Sequence, residues 1–117
     1  MKIMHVDDSI EMRNLVELTY PERLPYDDIH IVGDPEMALL TRSDIYILDY
    51  YLGNNVMNGD ELSFELRKKY PSSFTISYSG EHDLVKRFNN GAYDEVLQKG
   101  NSLDILIATI EEYRKWV

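Results

Sequence analysis

The sequence predicts an α/β fold in which five parallel strands form one doubly wound sheet. Three observations carry that expectation. Short apolar runs alternate with helix-length amphipathic segments, the order expected of βα units. Acidic residues and one lysine stand at the ends of those runs rather than inside them. The 117 residues accommodate five such units, whereas a (β/α)8 barrel needs about twice that length. Right-handed crossovers between parallel strands then leave the doubly wound sheet as the economical solution.

The strands are expected at Ile3 to Val6, Ile29 to Val32, Ile45 to Leu48, Phe74 to Tyr78 and Glu95 to Gln98. Between the first two, Met12, Leu15, Val16 and Leu18-Thr19 follow helical spacing behind Ser9, a residue suited to the N-cap. That helix is expected to end before Pro21. A short second helix begins at Asp34-Pro35, Asp as cap and Pro at the first helical position, and runs through Met37, Leu39 and Leu40. Asn58-Gly59-Asp60 opens a third, carrying Leu62, Phe64 and Leu66 to about Tyr70 and stopped by Pro71. A fourth starts near Glu81, uses Leu84, Val85 and Phe88, and is closed by Asn90-Gly91. The last is capped by Asn101-Ser102, with Leu103, Leu106, Ile107, Ile110, Tyr113 and Val117 forming the stripe that faces the sheet.

Residues 1–117 read as one domain, because 44% apolar content at this length suits a single core. The charge, 12 basic against 21 acidic residues for a net of −9, opposes non-specific attraction to nucleic acid or anionic lipid. Neither is expected as a partner. Cysteine is absent, which excludes disulfides, thiolate metal sites and a cysteine nucleophile. The amino end is too short in apolar residues for a secretory signal, and no stretch approaches the roughly 18 residues of a membrane span. A soluble cytoplasmic protein is the expectation.

If the runs are parallel strands, Asp7-Asp8, Asp49 and Lys99 emerge together at their carboxyl ends, where open α/β sheets place ligand sites. Adjacent Asp7 and Asp8 leave their strand in different directions. Asp49 ends a buried apolar run, so its ionised carboxylate needs a partner. Carboxylates about 4 Å apart repel by roughly 4 kcal/mol per pair at an effective dielectric near 20, so a cation must balance them. Lys99 and a divalent metal would do so, and hard oxygen donors of this kind suit Mg²⁺. Ser79, followed by Gly80, adds a hydroxyl at the same edge. The three histidines match no zinc-site spacing and are read as core or surface residues.

In order and approximate spacing, Val6-Asp7-Asp8-Ser9, Asp49-Tyr50-Tyr51-Leu52, Met57-Asn58-Gly59-Asp60, Ser79-Gly80-Glu81 and Gly91-Ala92 leading to Lys99 resemble the receiver domain of bacterial response regulators, of the stand-alone, chemotaxis-regulator-like kind. The resemblance covers essentially the whole chain. It implies a flavodoxin-like strand order of 2-1-3-4-5, Asp49 as phosphoacceptor, Asp8 as principal metal carboxylate with Asp7 as its acidic neighbour, and the Tyr51 backbone carbonyl as a further metal ligand. It matches Ser79 to the hydroxyl that bonds the phosphoryl group and Lys99 to the ammonium that pairs with it. It also puts Glu81 and Tyr51 where side chains modulate hydrolysis, and Val96 where an aromatic switch residue usually stands. The implied partners are a histidine kinase or phosphotransfer protein and a protein target of unknown identity.

Besides Val96, further departures accompany the match, among them a stretch from Gly91 to Lys99 that is one residue longer than usual. Gly100 follows Lys99 where proline is usual, which predicts either a trans bond with a rearranged loop or a cis bond held by its surroundings. The stretch from Asp49 to Gly59 is about two residues longer than the pattern usually has. Ile105 and Trp116 lie off the core stripe of the last helix, which offers a homodimer or target surface there, with the fourth-helix face as the other choice. The leading expectation is a Mg²⁺-dependent phosphoacceptor in a two-component or phosphorelay pathway that performs only its own phosphorylation and dephosphorylation. The alternatives are a phosphorylation-independent interaction module with a degenerate switch, and a Mg²⁺-dependent phosphatase, for which the chain has no substrate cap.

Overall fold

In a computed structural model that describes residues 1–54, 56–80, 91–100 and 102–117, five strands form one wholly parallel sheet. They are β1 (Lys2–Val6), β2 (Asp28–Val32), β3 (Ile45–Leu48), β4 (Phe74–Ser79) and β5 (Glu95–Gln98), in the order β2-β1-β3-β4-β5. Every strand expectation is met within a residue at each end. The register pairs Val6 with both Val32 and Leu48, Leu48 with Ser77, and Ser79 with Gln98. The carboxyl ends therefore lie level. The described helices lie on both faces of the sheet, and the central strands are buried from both sides.

Strand alternation divides the core in two. Ile3, Ile45, Ile47, Ile76 and Tyr78 meet Val16 and Tyr20 of α1 (Ile10–Arg23) and Leu106, Ile107 and Ile110 of the C-terminal helix (Asp104–Arg114). Met4, Val6, Tyr46 and Leu48 meet Ala38 of α2 (Pro35–Leu39) and Leu62 and Leu66 of α3 (Gly59–Lys69) on the other face. The predicted fourth helix, His82 and Asn101 fall outside the described residues. Gly91 has φ 72, the left-handed conformation that a closing glycine supplies.

The caps explain where the helices start. Ser9 Oγ accepts the Met12 N–H, Asp34 accepts that of Glu36, and Asn58 and Glu61 form a reciprocal capping box. α1 does not stop before Pro21 but runs through it to Arg23. The bond that proline forfeits would run to Glu17, on the exposed side of the helix, where water can replace it. Burial of Tyr20 and Leu24, 1% and 2% exposed, holds the last turn in place. Leu15, Leu18, Met37, Leu40 and Phe64, expected on core faces, are exposed instead, because the inward positions go to Val16, Tyr20, Ala38, Leu62 and Leu66. The C-terminal helix is entered at Leu103, whose burial sets its start, while the Ser102 hydroxyl still accepts the Asp104 N–H at 3.3 Å. Val117 lies beyond the helix and is exposed rather than part of its stripe.

His5 is fully buried between these layers and its Nδ1 shares a hydrogen bond with the Tyr20 hydroxyl. Burial lowers its pKa from 6.5 to about 4, the Asp7 charge opposing and Lys99 adding to the shift. The folded pKa lies below the unfolded value, so the folded state binds fewer protons. Its contribution to stability is complete above pH 6.5 and is lost as pH falls toward 4. Thermal melts without added metal are expected to show a falling midpoint across that window, with a smaller slope in His5→Gln.

Gly59, the first residue of α3, is packed beneath the β3 carboxyl end. A Cβ there would stand 2.2 Å from the Asp49 carbonyl oxygen and 2.8 Å from the Tyr93 hydroxyl. Gly59→Ala is expected to cost about 1–3 kcal/mol through forced backbone movement, read as a lower denaturant midpoint.

Candidate functional site

Backbone hydrogen bonding continues one residue beyond three strands and delivers the site. Asp7 N–H donates to Val32 O, Asp49 N–H to Val6 O, and Lys99 N–H to Ser79 O, each at 3.0 Å. These bonds place two carboxylates and an ammonium on one rim, at the point where the chain leaves β1 for one side of the sheet and β3 for the other.

Lys99 Nζ lies 2.7 Å from Asp7 Oδ2 and 3.3 Å from Asp49 Oδ2. The second oxygen of each carboxylate is also engaged: Asp7 Oδ1 accepts the Ser9 N–H and Asp49 Oδ1 the Tyr50 N–H, both at 2.9 Å. Ser79, 2% exposed, ends β4 at the same rim. Asp7 is fully buried and Asp49 8% exposed, whereas Asp8 is exposed at the mouth. One carboxylate oxygen from each of Asp7, Asp8 and Asp49 lies within 4.8 Å of the others.

Three carboxylates thus face one ammonium, an excess of two negative charges. Burial and then the Asp7 charge raise the pKa of Asp49, while Lys99 and Ser79 oppose the shift. Burial alone would lower the pKa of Lys99, but the hydrogen bond to Asp7 and the charge of Asp49 outweigh it and raise it. The ammonium is firmly charged and still leaves Asp49 strained toward protonation. A divalent cation would remove that strain, and a cluster of oxygen donors with one exposed member fits a hard ion.

The sequence-predicted residues sort into three groups. Asp7, Asp8, Asp49, Ser79 and Lys99 come together. Tyr51 is half exposed two residues after Asp49, its hydroxyl donating to Asn54 Oδ1 at 2.6 Å, and Val96 is half-buried against the second core cluster. Glu81 lies outside the described residues. The bond between Lys99 and Gly100 is trans, the first of the two expected outcomes.

Sequence reasoning gave no role to Arg13, whose guanidinium donates to the Asp7 carbonyl at 2.9 Å and steadies the backbone beneath the cluster. It fits because residue 33 is glycine: a Cβ there would come within 2.6 Å of the Arg13 side chain. That small residue immediately after a strand was the available signal. Tyr93, also without a role in that reasoning, donates its hydroxyl to Asp60 at 2.8 Å.

No family model and no curated protein matches this chain. Solved structures do. The response regulator TrrA from Thermotoga maritima, determined in complex with Mg²⁺-BeF, is 24% identical with TM-score 0.82, over 95% of this chain and 96% of its own. The BeF3-activated DrrB receiver domain is 22% identical with TM-score 0.81, over 97% of each chain. The receiver domain of the Francisella response regulator 1452 is 20% identical with TM-score 0.83, over 99% of this chain and 98% of that one. The similarity spans the whole sheet and its covering helices, and the chain has the fold of response-regulator receiver domains.

Proposed function

We propose that this chain is a response-regulator receiver that accepts a phosphoryl group on Asp49 from a histidine kinase or phosphotransfer protein, in a Mg²⁺-dependent step in the cytoplasm, and signals by contact with a protein target. The observation that carries the proposal is the meeting of Asp7, Asp8 and Asp49 around the Lys99 ammonium. Receiver-fold structures that carry Mg²⁺-BeF or BeF3 in their descriptions support it.

An Asp49 carboxylate oxygen attacks phosphorus in line. An acyl phosphate forms as the bond from phosphorus to the donor imidazole nitrogen breaks, and the imidazole leaves with that electron pair. Such transfers depend on alignment and charge stabilisation more than on a general base. Lys99, already beside Asp49, would pair with the incoming oxygens, and Ser79 would offer its hydroxyl to a phosphoryl oxygen. Asp8 and Asp7 would hold Mg²⁺ with Asp49 and the Tyr51 carbonyl, and the ion would supply neutralisation of phosphoryl charge. Tyr51 and Glu81 would tune access of hydrolytic water.

Moving a switch from 1:99 to 99:1 takes about 5.5 kcal/mol, while one hydrogen bond to a charged group supplies roughly 1.5–3. Ser79 and Lys99 must therefore act together. Val96 brings no polar atom to that task. Its aliphatic packing, with Tyr93 tied to Asp60, favours one second reading, a phosphorylation-independent interaction module. In either reading the exposed Ile105 of the C-terminal helix and Trp116 just past its end are the surface proposed for self-association or target contact.

Incubation with acetyl phosphate and Mg²⁺ separates the readings. A receiver gains one phosphoryl mass, absent from Asp49→Asn, and does not turn over other phosphate esters; an interaction module gains none. Magnesium titration by calorimetry is expected to show at least a tenfold loss of affinity in Asp8→Ala, about 1.4 kcal/mol or more for one charged ligand, and an undiminished affinity would remove Asp8 from the metal site.

A further inference from the structure

Arg13 of α1 reaches back to the residue that follows β1. Its Nη1 donates to the Asp7 carbonyl at 2.9 Å, while its own N–H is tied to the Ser9 carbonyl at 3.0 Å. The rest of Asp7 is held as well: its N–H by Val32 of β2 at 3.0 Å, Oδ1 by the Ser9 N–H at 2.9 Å and Oδ2 by Lys99 at 2.7 Å. Asp8 is placed differently. It is exposed, so core packing does not fix it, and its Cα follows from the plane of the peptide that joins it to Asp7. The carbonyl of that peptide is the group that Arg13 grips.

Gly33, the residue after β2, stands beside this bond. A Cβ there would come 2.6 Å from Arg13 Nη1 and 3.2 Å from Cζ, but 3.7 Å, an ordinary contact, from the Asp7 carbonyl oxygen. Its backbone gives no other reason for glycine, because positive φ belongs to Gly53 and Gly91. The space left by the missing Cβ is space for the guanidinium. We propose that Arg13 is a positioning residue for Asp8: its grip on the Asp7 carbonyl sets the peptide between the two aspartates and so presents the Asp8 carboxylate to a divalent cation, with Gly33 leaving the room that the grip needs. The consequence for metal binding rests on the Mg²⁺-dependent phosphoacceptor reading.

Two variants break the contact in different ways. Arg13→Ala removes the donor, whereas Gly33→Ala keeps every charge and displaces only the flexible end of a side chain. In both, NMR of the metal-free protein is expected to show shifted signals for the Asp7 carbonyl carbon and the Asp8 amide proton; unmoved signals overturn the proposal. Calorimetry is expected to show Mg²⁺ affinity lowered about tenfold in each, the lower end of the range for residues that orient ligands, with no further loss in the double variant. Arg13→Lys, which keeps a charged donor, is expected to recover part of the loss. Multiplied losses in the double variant contradict a single shared contact and overturn the proposal. Phosphorylation by acetyl phosphate is expected to slow at sub-saturating Mg²⁺ and to regain the wild-type rate at saturation, a split that general destabilisation does not produce; a rate that stays low at saturation also counts against it. A wild-type chain that binds no Mg²⁺ defeats the phosphoacceptor reading and this proposal together. A wild-type chain that binds Mg²⁺ no more tightly than the two variants defeats this proposal alone.

Discussion

The structure at the rim depends on one shared cation. Asp7 is buried without access to water and Asp49 nearly so, and burial of ionised carboxylates is costly unless they are paired. Lys99 answers both. It can do so because the parallel ladder runs one residue past the named strands, so that Asp7, Asp49 and Lys99 are placed by backbone bonds before their side chains meet. The three carboxylates still outnumber the one ammonium, a charge balance that would favour a further cation.

The two-sided core is the means of holding that rim. On one face His5, Tyr20 and Tyr78 carry polar atoms into a largely apolar layer, and two of them precede site residues along their strands: His5 comes two residues before Asp7 and Tyr78 one before Ser79. On the other, Gly59 brings the start of α3 against the Asp49 backbone, with Gly59 N–H donating to Tyr50 O at 2.7 Å. Asp94 accepts the Thr75 N–H at 2.8 Å and pairs with Arg67 at 3.2 Å, which fastens the entry of β5 to β4 and α3. Lys99 is thus fixed at the far end of a strand whose beginning is clamped.

Strands were legible because short runs rich in Ile, Val, Leu and aromatic residues are separated by helix-length segments, and four of the five give way to Asp, Ser or Lys at their ends. The acidic cluster was legible for the same reason, since residues at strand ends share a rim once strands are parallel. Helix faces were less so. Leu15, Leu18 and Phe64 score as apolar but point outward, while Tyr20, Ala38 and Ser63 point inward, and spacing alone does not say which of two neighbouring stripes meets the sheet. Pro21 read as a stop because local rules exclude it from helix interiors; tertiary burial of its neighbours overrode them. The contacts of Arg13 with Gly33, Gly59 with Tyr93 and Tyr78 with His5 join different elements of the fold and leave no periodic trace.

The seclusion of Lys99 bears on the ionic environment in which the site operates. Pairs such as Lys68 with Glu65 and Arg23 with Asp104 are largely in solvent, where mobile ions at about 0.15 M screen charges beyond roughly 8 Å and such pairs contribute little. The Lys99 side chain is 19% exposed and its Asp7 partner 0%, so counterions have almost no room to enter between them. The acidic exterior of the chain answers to osmotic and salt fluctuations, while the interior charge arrangement keeps its setting across them.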